Sequence, residues 1–92
     1  MTNQDLVLNI AVNLSRLGRW SHQGKSSRIP QFLSDTQIYI DQLQQVNLKF
    51  RPTYDRFLKD FLSLKSLSPN SQNWSDTAFT WASILTHRAK LA

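Results

Sequence analysis

The residues with the most obvious potential for chemistry lie between positions 18 and 26, where the segment GRWSHQGKS ends like a phosphate-binding loop. That motif needs four residues between its glycines, because successive backbone N–H groups must wrap one phosphate. Here five residues separate Gly18 from Gly24, and the segment follows a predicted helix rather than a strand. We therefore interpret it as a flexible basic loop and not as a nucleotide site.

Patterns for catalysis or metal binding are weaker still. The two histidines, His22 and His87, belong to no zinc motif, and the six acidic residues are all Asp and are scattered along the chain. Ser83 and His87 lie at i,i+4 spacing on a predicted helix. A catalytic triad places its histidine between the serine and the acid, but here Ser83 lies between His87 and Asp76. There is also no cysteine. The sequence predicts a protein that is not an enzyme and has no catalytic residue, cofactor or metal.

Positive charge is the main functional lead. The chain carries eleven Lys and Arg against six acids, a net charge of +5. Four of these cations, and no acid, fall between residues 16 and 28 around Trp20, an aromatic side chain suited to stacking on a base or anchoring a partner. Two more cations lie nearby in the connection before the third helix. The candidate surface for a polyanion or a partner comprises Arg16, Arg19, Trp20, Lys25, Arg28, Lys49 and Arg51.

Three considerations keep this surface from identifying a ligand. A basic segment also serves as ordinary solvated surface, and Trp20 could instead pack over the end of the first helix. On the third helix, i,i+4 spacing predicts that Asp55 pairs with Lys59. The same spacing pairs Arg56 with Asp60. Positive and negative charges therefore alternate on the exposed face of the third helix, which only weakly supports a role as the DNA-recognition helix of a helix-turn-helix motif. A protein-interaction module is the leading hypothesis, and nucleic-acid binding is the alternative.

Helices must position these side chains, because apolar residues recur at helical spacing and no bounded segment alternates with period 2. The pattern predicts an all-α fold: a small antiparallel four-helix bundle-like domain over residues 1–92. The helices are expected at about 3–18, 30–47, 52–66 and 75–90. Short connections should make sequential helices antiparallel neighbours.

Local signals predict where two of these helices begin and end. Thr2 and Asp5 have the spacing of a capping box at the start of the first helix, and Gly18 suits its C-terminal end. Ser75 is the predicted N-cap of the fourth helix, with Trp74 just before it.

Some apolar residues fall outside the main hydrophobic faces. Leu8 and Val12 form a second stripe on the first helix, and Ile38 lies among polar residues on the second. The first helix is therefore either the central element of the fold or a contact surface. Under the second hypothesis, the stripe could form the interface of a homodimer.

Membrane insertion is not expected, because no apolar run approaches the roughly 20 residues that span a bilayer. The N-terminus lacks the basic region of a signal peptide. Together with the lack of cysteine, these features predict a cytoplasmic protein with a protein partner, nucleic acid being the other candidate.

Overall fold

The computed structural model describes all 92 residues and contains four α-helices and no strand. They are α1 (Asn3–His22), α2 (Ile29–Gln42), α3 (Arg51–Ser66) and α4 (Trp74–Arg88), followed by a short 3-10 turn at Ala89–Leu91. The predicted all-α fold class is confirmed. None of the helices combines the length and the apolar character that crossing a membrane requires.

The central element is α1, which packs along both α4 and α2. Leu8, from the second apolar stripe predicted on this helix, is half-buried against the core, so packing on two sides explains part of that stripe. Small residues on both helices let the backbones of α1 and α4 approach closely. The small buried residues are Ala11 and Gly18 on α1, Ala78 and Ala82 on α4, and Ala89 at the start of the 3-10 turn.

The start of α1 matches the prediction, whereas its end does not. Thr2 and Asp5 form the capping box through hydrogen bonds of 3.0 and 3.1 Å. Gly18, however, lies inside the helix, which continues to His22. A Cβ atom at Gly18 would lie 2.9 Å from the ring of Phe79, so this glycine permits the close approach of α4 rather than ending α1.

Gly24 is the glycine that ends α1. Its φ of +71° is left-handed, and the backbone N–H groups of Gly24 and Lys25 donate to the carbonyls of Ser21 (3.1 Å) and Trp20 (2.8 Å). These two bonds are those of a Schellman motif. The GKS segment is thus the end of a helix, and Arg19 and Trp20 belong to the last turns of α1 instead of to a loop.

The second helix ends at Gln42, earlier than its predicted end near residue 47. The connection that follows buries Leu43, Leu48 and Phe50 in the core. Continuing the helix would have carried these side chains around its axis and exposed some of them to water. Their burial therefore outweighs the helical preference of the intervening residues.

The fourth helix begins one residue before Ser75, so the predicted N-cap is wrong. Trp74 is the first helical residue, and Asn73 before it has a left-handed φ of 69° and makes no capping hydrogen bond with its side chain. The buried Trp74 indole donates through Nε1 to the Leu64 carbonyl at 3.0 Å. This tertiary contact helps to determine where α4 starts.

The third helix packs on α4 through a stripe of aromatic rings. Phe57 lies 5.6 Å from Trp81, measured between ring centroids, and 5.7 Å from Phe61. Trp81 also donates through Nε1 to an Asp60 carboxylate oxygen at 2.7 Å. These contacts attach α3 to α4, but α3 and α2 are not packed backbone to backbone. A groove therefore opens between α2 and α3.

Candidate functional site

The groove between α2 and α3 has a volume of about 250 Å³ and an apolar floor with a polar edge. One face of α2 forms one wall, and the face of α3 that begins at Arg51 forms the other. The lining residues are Gln37, Ile40, Asp41, Gln44, Arg51, Tyr54, Leu58, Phe61 and Leu62.

A chain of hydrogen bonds closes one end of the groove. Lys65 Nζ donates to Gln37 Oε1 at 2.7 Å, and Gln37 Nε2 donates to Asp41 Oδ1 at 2.9 Å. The Lys65 ammonium also lies 5.5 Å from the centroid of the Phe61 ring. This end of the groove is therefore bridged by a cation and edged by amide and carboxylate groups.

A second cation closes the other end. The Arg51 guanidinium pairs with Asp55 at 3.1 Å, donates over 3.4 Å to the Val46 carbonyl, and lies 5.7 Å from the centre of the Tyr54 ring. Both members of the ion pair are substantially exposed, at 40% for the arginine side chain and 58% for the aspartate. Exposed pairs of this kind add little to stability, so Arg51 is held loosely.

Tyr54 is the unusual residue of the groove. Only 2% of it is exposed, and its hydroxyl is the one buried side-chain oxygen or nitrogen that makes no hydrogen bond. By contrast, the buried Trp74 indole donates to the Leu64 carbonyl, and the buried Thr36 hydroxyl donates to the Phe32 carbonyl at 2.6 Å.

Burial raises the pKa of Tyr54 to about 12, because the phenolate would lose its hydration. The Arg51 charge lowers the pKa and partly offsets this effect, while Asp41 and Asp55 raise it further. At neutral pH the hydroxyl is therefore an uncharged hydrogen-bond donor without an acceptor.

Two exposed leucine-sized side chains differ in their relation to the groove. Leu62 is 60% exposed and lines the groove from α3, whereas Ile38 is 54% exposed on α2 and lines no part of it. Of the three predicted apolar contact residues, Ile38 is therefore exposed as expected but lies apart from the groove.

The other two predicted apolar residues lie on α1. Leu8 is half-buried against the core, which reduces the expected stripe to Val12, 47% exposed. Val12 and Phe79 line a shallow, open depression of about 420 Å³ between α1 and α4. Its other lining residues are small or polar, and it is wider and more open than the groove between α2 and α3.

The cationic residues around Trp20 come together only in part. Trp20, Lys25 and Arg28 line a small cleft of about 140 Å³ near the start of α2. The half-buried Trp20 ring packs edge-on against Phe32 at 4.8 Å, and the Arg16 guanidinium lies 5.7 Å from the same Phe32 ring. The indole is thus engaged in packing, which leaves less of it for stacking on a base.

The predicted cationic residues do not form one surface. Lys49 and Arg51 follow the C-terminal end of α2, whereas Lys25 and Arg28 precede its N-terminal end. A helix of 14 residues separates the two groups, a length of roughly 21 Å. Arg19 is exposed on the last turn of α1.

The predicted ion pairs within α3 are also absent. Asp55 pairs with Arg51 instead of Lys59, and Asp60 accepts the hydrogen bond from Trp81 instead of pairing with Arg56. Arg56 and Lys59 are exposed and form no ion pair, so neither of these cations is paired as the spacing predicted.

The residues considered for catalysis make other contacts. His87 Nδ1 lies 2.8 Å from the backbone carbonyl oxygen of Ser83 and makes no hydrogen bond to the serine hydroxyl. No three His or Asp side chains lie close enough together to hold a metal ion.

The groove itself was not predicted. The sequence contained two signals for it: Tyr54, a polar-tipped residue within an apolar stripe, and Leu62, which flanks that stripe. Neither shows that α2 and α3 stay apart.

Comparison with known proteins gives no guide to function, because no family model, no curated protein and no solved structure matches this chain.

Proposed function

We propose that this protein is a non-enzymatic interaction module that binds an amphipathic helix of another protein in the groove between α2 and α3. The observation that carries the proposal is an apolar groove with a polar edge, flanked by the exposed Leu62. Sites for small molecules and cofactors usually measure about 300–1,000 Å³, and a cavity of about 150 Å³ holds a benzene ring. A volume of about 250 Å³ therefore suits one or two side chains of a partner better than a cofactor.

The length of the groove supports a helical occupant. On α2 the lining residues run from Gln37 to Asp41, and Gln44 lies in the turn after the helix. On α3 they run from Arg51 to Leu62, eleven residue steps that correspond to roughly 16 Å, or three helical turns. A partner helix that offers apolar side chains at i, i+3 or i+4, and i+7 spans about 10 Å and fits within this length, as in other helix-in-groove complexes.

The charges around the groove favour an acidic partner. A cation lies at each end of the groove, Lys65 at one and Arg51 at the other. A net charge of +5 steers acidic proteins towards the chain over long range. We therefore expect Asp or Glu residues to flank the apolar anchors of the partner helix.

A photo-crosslinking pair tests the proposal in cell extract. The full chain carries benzoylphenylalanine in place of Leu62, with the same substitution at Ile38 as the matched control, because both side chains are exposed to a similar degree. We expect the Leu62 position alone to crosslink to a peptide that is amphipathic, helical and acidic at its edges. Equal crosslinking from both positions, or a product containing two copies of this chain, would contradict the proposal.

Nucleic-acid binding is the second candidate function. One observation favours it: four cations that lie close together in the chain form no ion pair with an acidic side chain. They are Arg16, Arg19, Lys25 and Arg28. Since Trp20 packs on Phe32, the contacts would be to phosphates rather than to bases. Titration with mixed single- and double-stranded nucleic acid should then show a steep loss of affinity between two salt concentrations. A lack of binding at low salt would exclude this function.

Self-association through α1 is tested separately by the solution mass of the protein with Leu8 and Val12 both changed to Ser. A dimer that becomes a monomer would support it, and a monomer throughout would exclude it. For all of these functions we propose the cytoplasmic location expected of a chain without cysteine.

A further inference from the structure

We propose that the occupant of the groove presents an uncharged carbonyl oxygen to the hydroxyl of Tyr54. This inference rests on the proposed function and adds the chemistry that the groove recognises. The observation behind it is the buried hydroxyl without a partner, an exception among the buried polar side-chain atoms of this chain.

Packing accounts for the tyrosine ring but not for its hydroxyl. The ring contacts Phe50 and Phe57, with centroids 6.1 and 5.7 Å away. A phenylalanine would make the same ring contacts without placing an unsatisfied donor in the core. A buried donor of this kind gains most from an acceptor in a site that excludes water, because no water molecule competes for it.

The groove explains how an acceptor could reach this donor. Tyr54 lines the groove, and its hydroxyl has no contact with solvent in the free protein. Arg51 lies over the Tyr54 ring, lines the same groove, and is held by an exposed ion pair and one long hydrogen bond. Displacing the Arg51 side chain therefore costs little, and we infer that an occupant reaches the hydroxyl by this movement.

The surroundings select an uncharged acceptor over a carboxylate. Ile40, Leu58 and Phe61 form an apolar floor, in which an ion would lose its hydration. Asp41 lines the groove as well and repels a second anion there. The amide oxygen of an Asn or Gln side chain, or a carbonyl of the partner helix's last turn, meets both conditions when it lies next to an apolar side chain.

Two small probes of matched shape test the inference on the intact protein. Acetophenone and ethylbenzene differ chiefly in a carbonyl group that replaces a methylene, and each is small enough for the groove. Both are titrated into isotope-labelled wild-type protein, the Tyr54→Phe variant and a Tyr39→Phe control, and dissociation constants are taken from the amide shifts of groove residues. Benzoate serves as the charged probe.

We expect Tyr54→Phe to weaken acetophenone binding by about 2- to 10-fold, the worth of one hydrogen bond, and to leave ethylbenzene binding unchanged or tighter. Tyr39→Phe should change neither, and benzoate should bind wild type more weakly than acetophenone. If both aromatic probes bind wild type and Tyr54→Phe alike, the groove is real but the acceptor inference is wrong. Tighter binding of benzoate would overturn the choice of an uncharged ligand. If no probe shifts the groove amides, the groove proposed as the interaction site fails, and this inference fails with it.

Discussion

Removing the Tyr54 hydroxyl should stabilise the fold, although most core substitutions destabilise. The hydroxyl is buried, and no hydrogen bond is lost with it. An unsatisfied buried polar group costs about 1–3 kcal/mol, while phenylalanine keeps the ring and its contacts with Phe50 and Phe57. We expect Tyr54→Phe to raise the free energy of unfolding by about 1–2 kcal/mol at neutral pH.

The same substitution should change how stability depends on alkaline pH. The pKa of Tyr54 is about 12 in the folded protein against 10.0 for an ordinary tyrosine. Between these values the unfolded chain releases the proton first, so the wild-type protein loses stability as pH rises and has its full stability below the lower value. The slope reaches about 1.4 kcal/mol per pH unit, and the total loss is on the order of 2 kcal/mol. The gap between Tyr54→Phe and wild type should widen by that amount.

Urea denaturation followed by tryptophan fluorescence measures both effects, at neutral pH and at several points between about pH 10 and 12. Tyr39→Phe is the control, because Tyr39 is half-buried and its substitution should change the unfolding free energy by less than about 0.5 kcal/mol. Two results would refute the reasoning. One is that Tyr54→Phe destabilises the protein at neutral pH. The other is that its difference from wild type stays constant through the alkaline range.

Three further substitutions test the packing of the helices and the capping of α1. Gly18→Ala alone should be neutral or destabilising, because its Cβ meets the Phe79 ring. In a Phe79→Ala background the same change should raise the free energy of unfolding by about 0.5–1 kcal/mol. Equal effects in both backgrounds, measured by urea denaturation, would disprove the contact. Trp81→Phe removes the hydrogen bond to Asp60 and some ring area, so we expect the free energy of unfolding, measured by heat or urea, to fall by about 2–3 kcal/mol. Asp60→Asn is the milder control and should lower it by less than about 1 kcal/mol. Thr2→Ala should lower stability by about 0.5–1 kcal/mol by breaking the capping box, and increased amide exchange confined to the first turn of α1 would verify the cause.

Some features of the groove can be predicted from the sequence, and others cannot. That Tyr54, Leu58 and Phe61 share one face of a helix follows from their spacing alone. That their face borders an open groove does not, because the distance between α2 and α3 depends on how both helices pack against the rest of the core. Arg51 illustrates the same limit: its charge was predicted to contribute to a cationic surface, yet its position assigns it to the groove and to Asp55.

Local chemistry along the chain was enough to predict four helices, the capping box at Thr2, the net charge and the absence of cysteine chemistry, since each depends on composition or on residues a few positions apart. Contacts between distant residues determined the rest. Phe79 makes Gly18 a packing residue, Leu64 helps to determine where α4 begins, and Phe32 engages Trp20. The free energy of such contacts arises only when the helices pack, so the periodicity of the sequence does not predict it. It can nevertheless override a local signal worth about 1 kcal/mol.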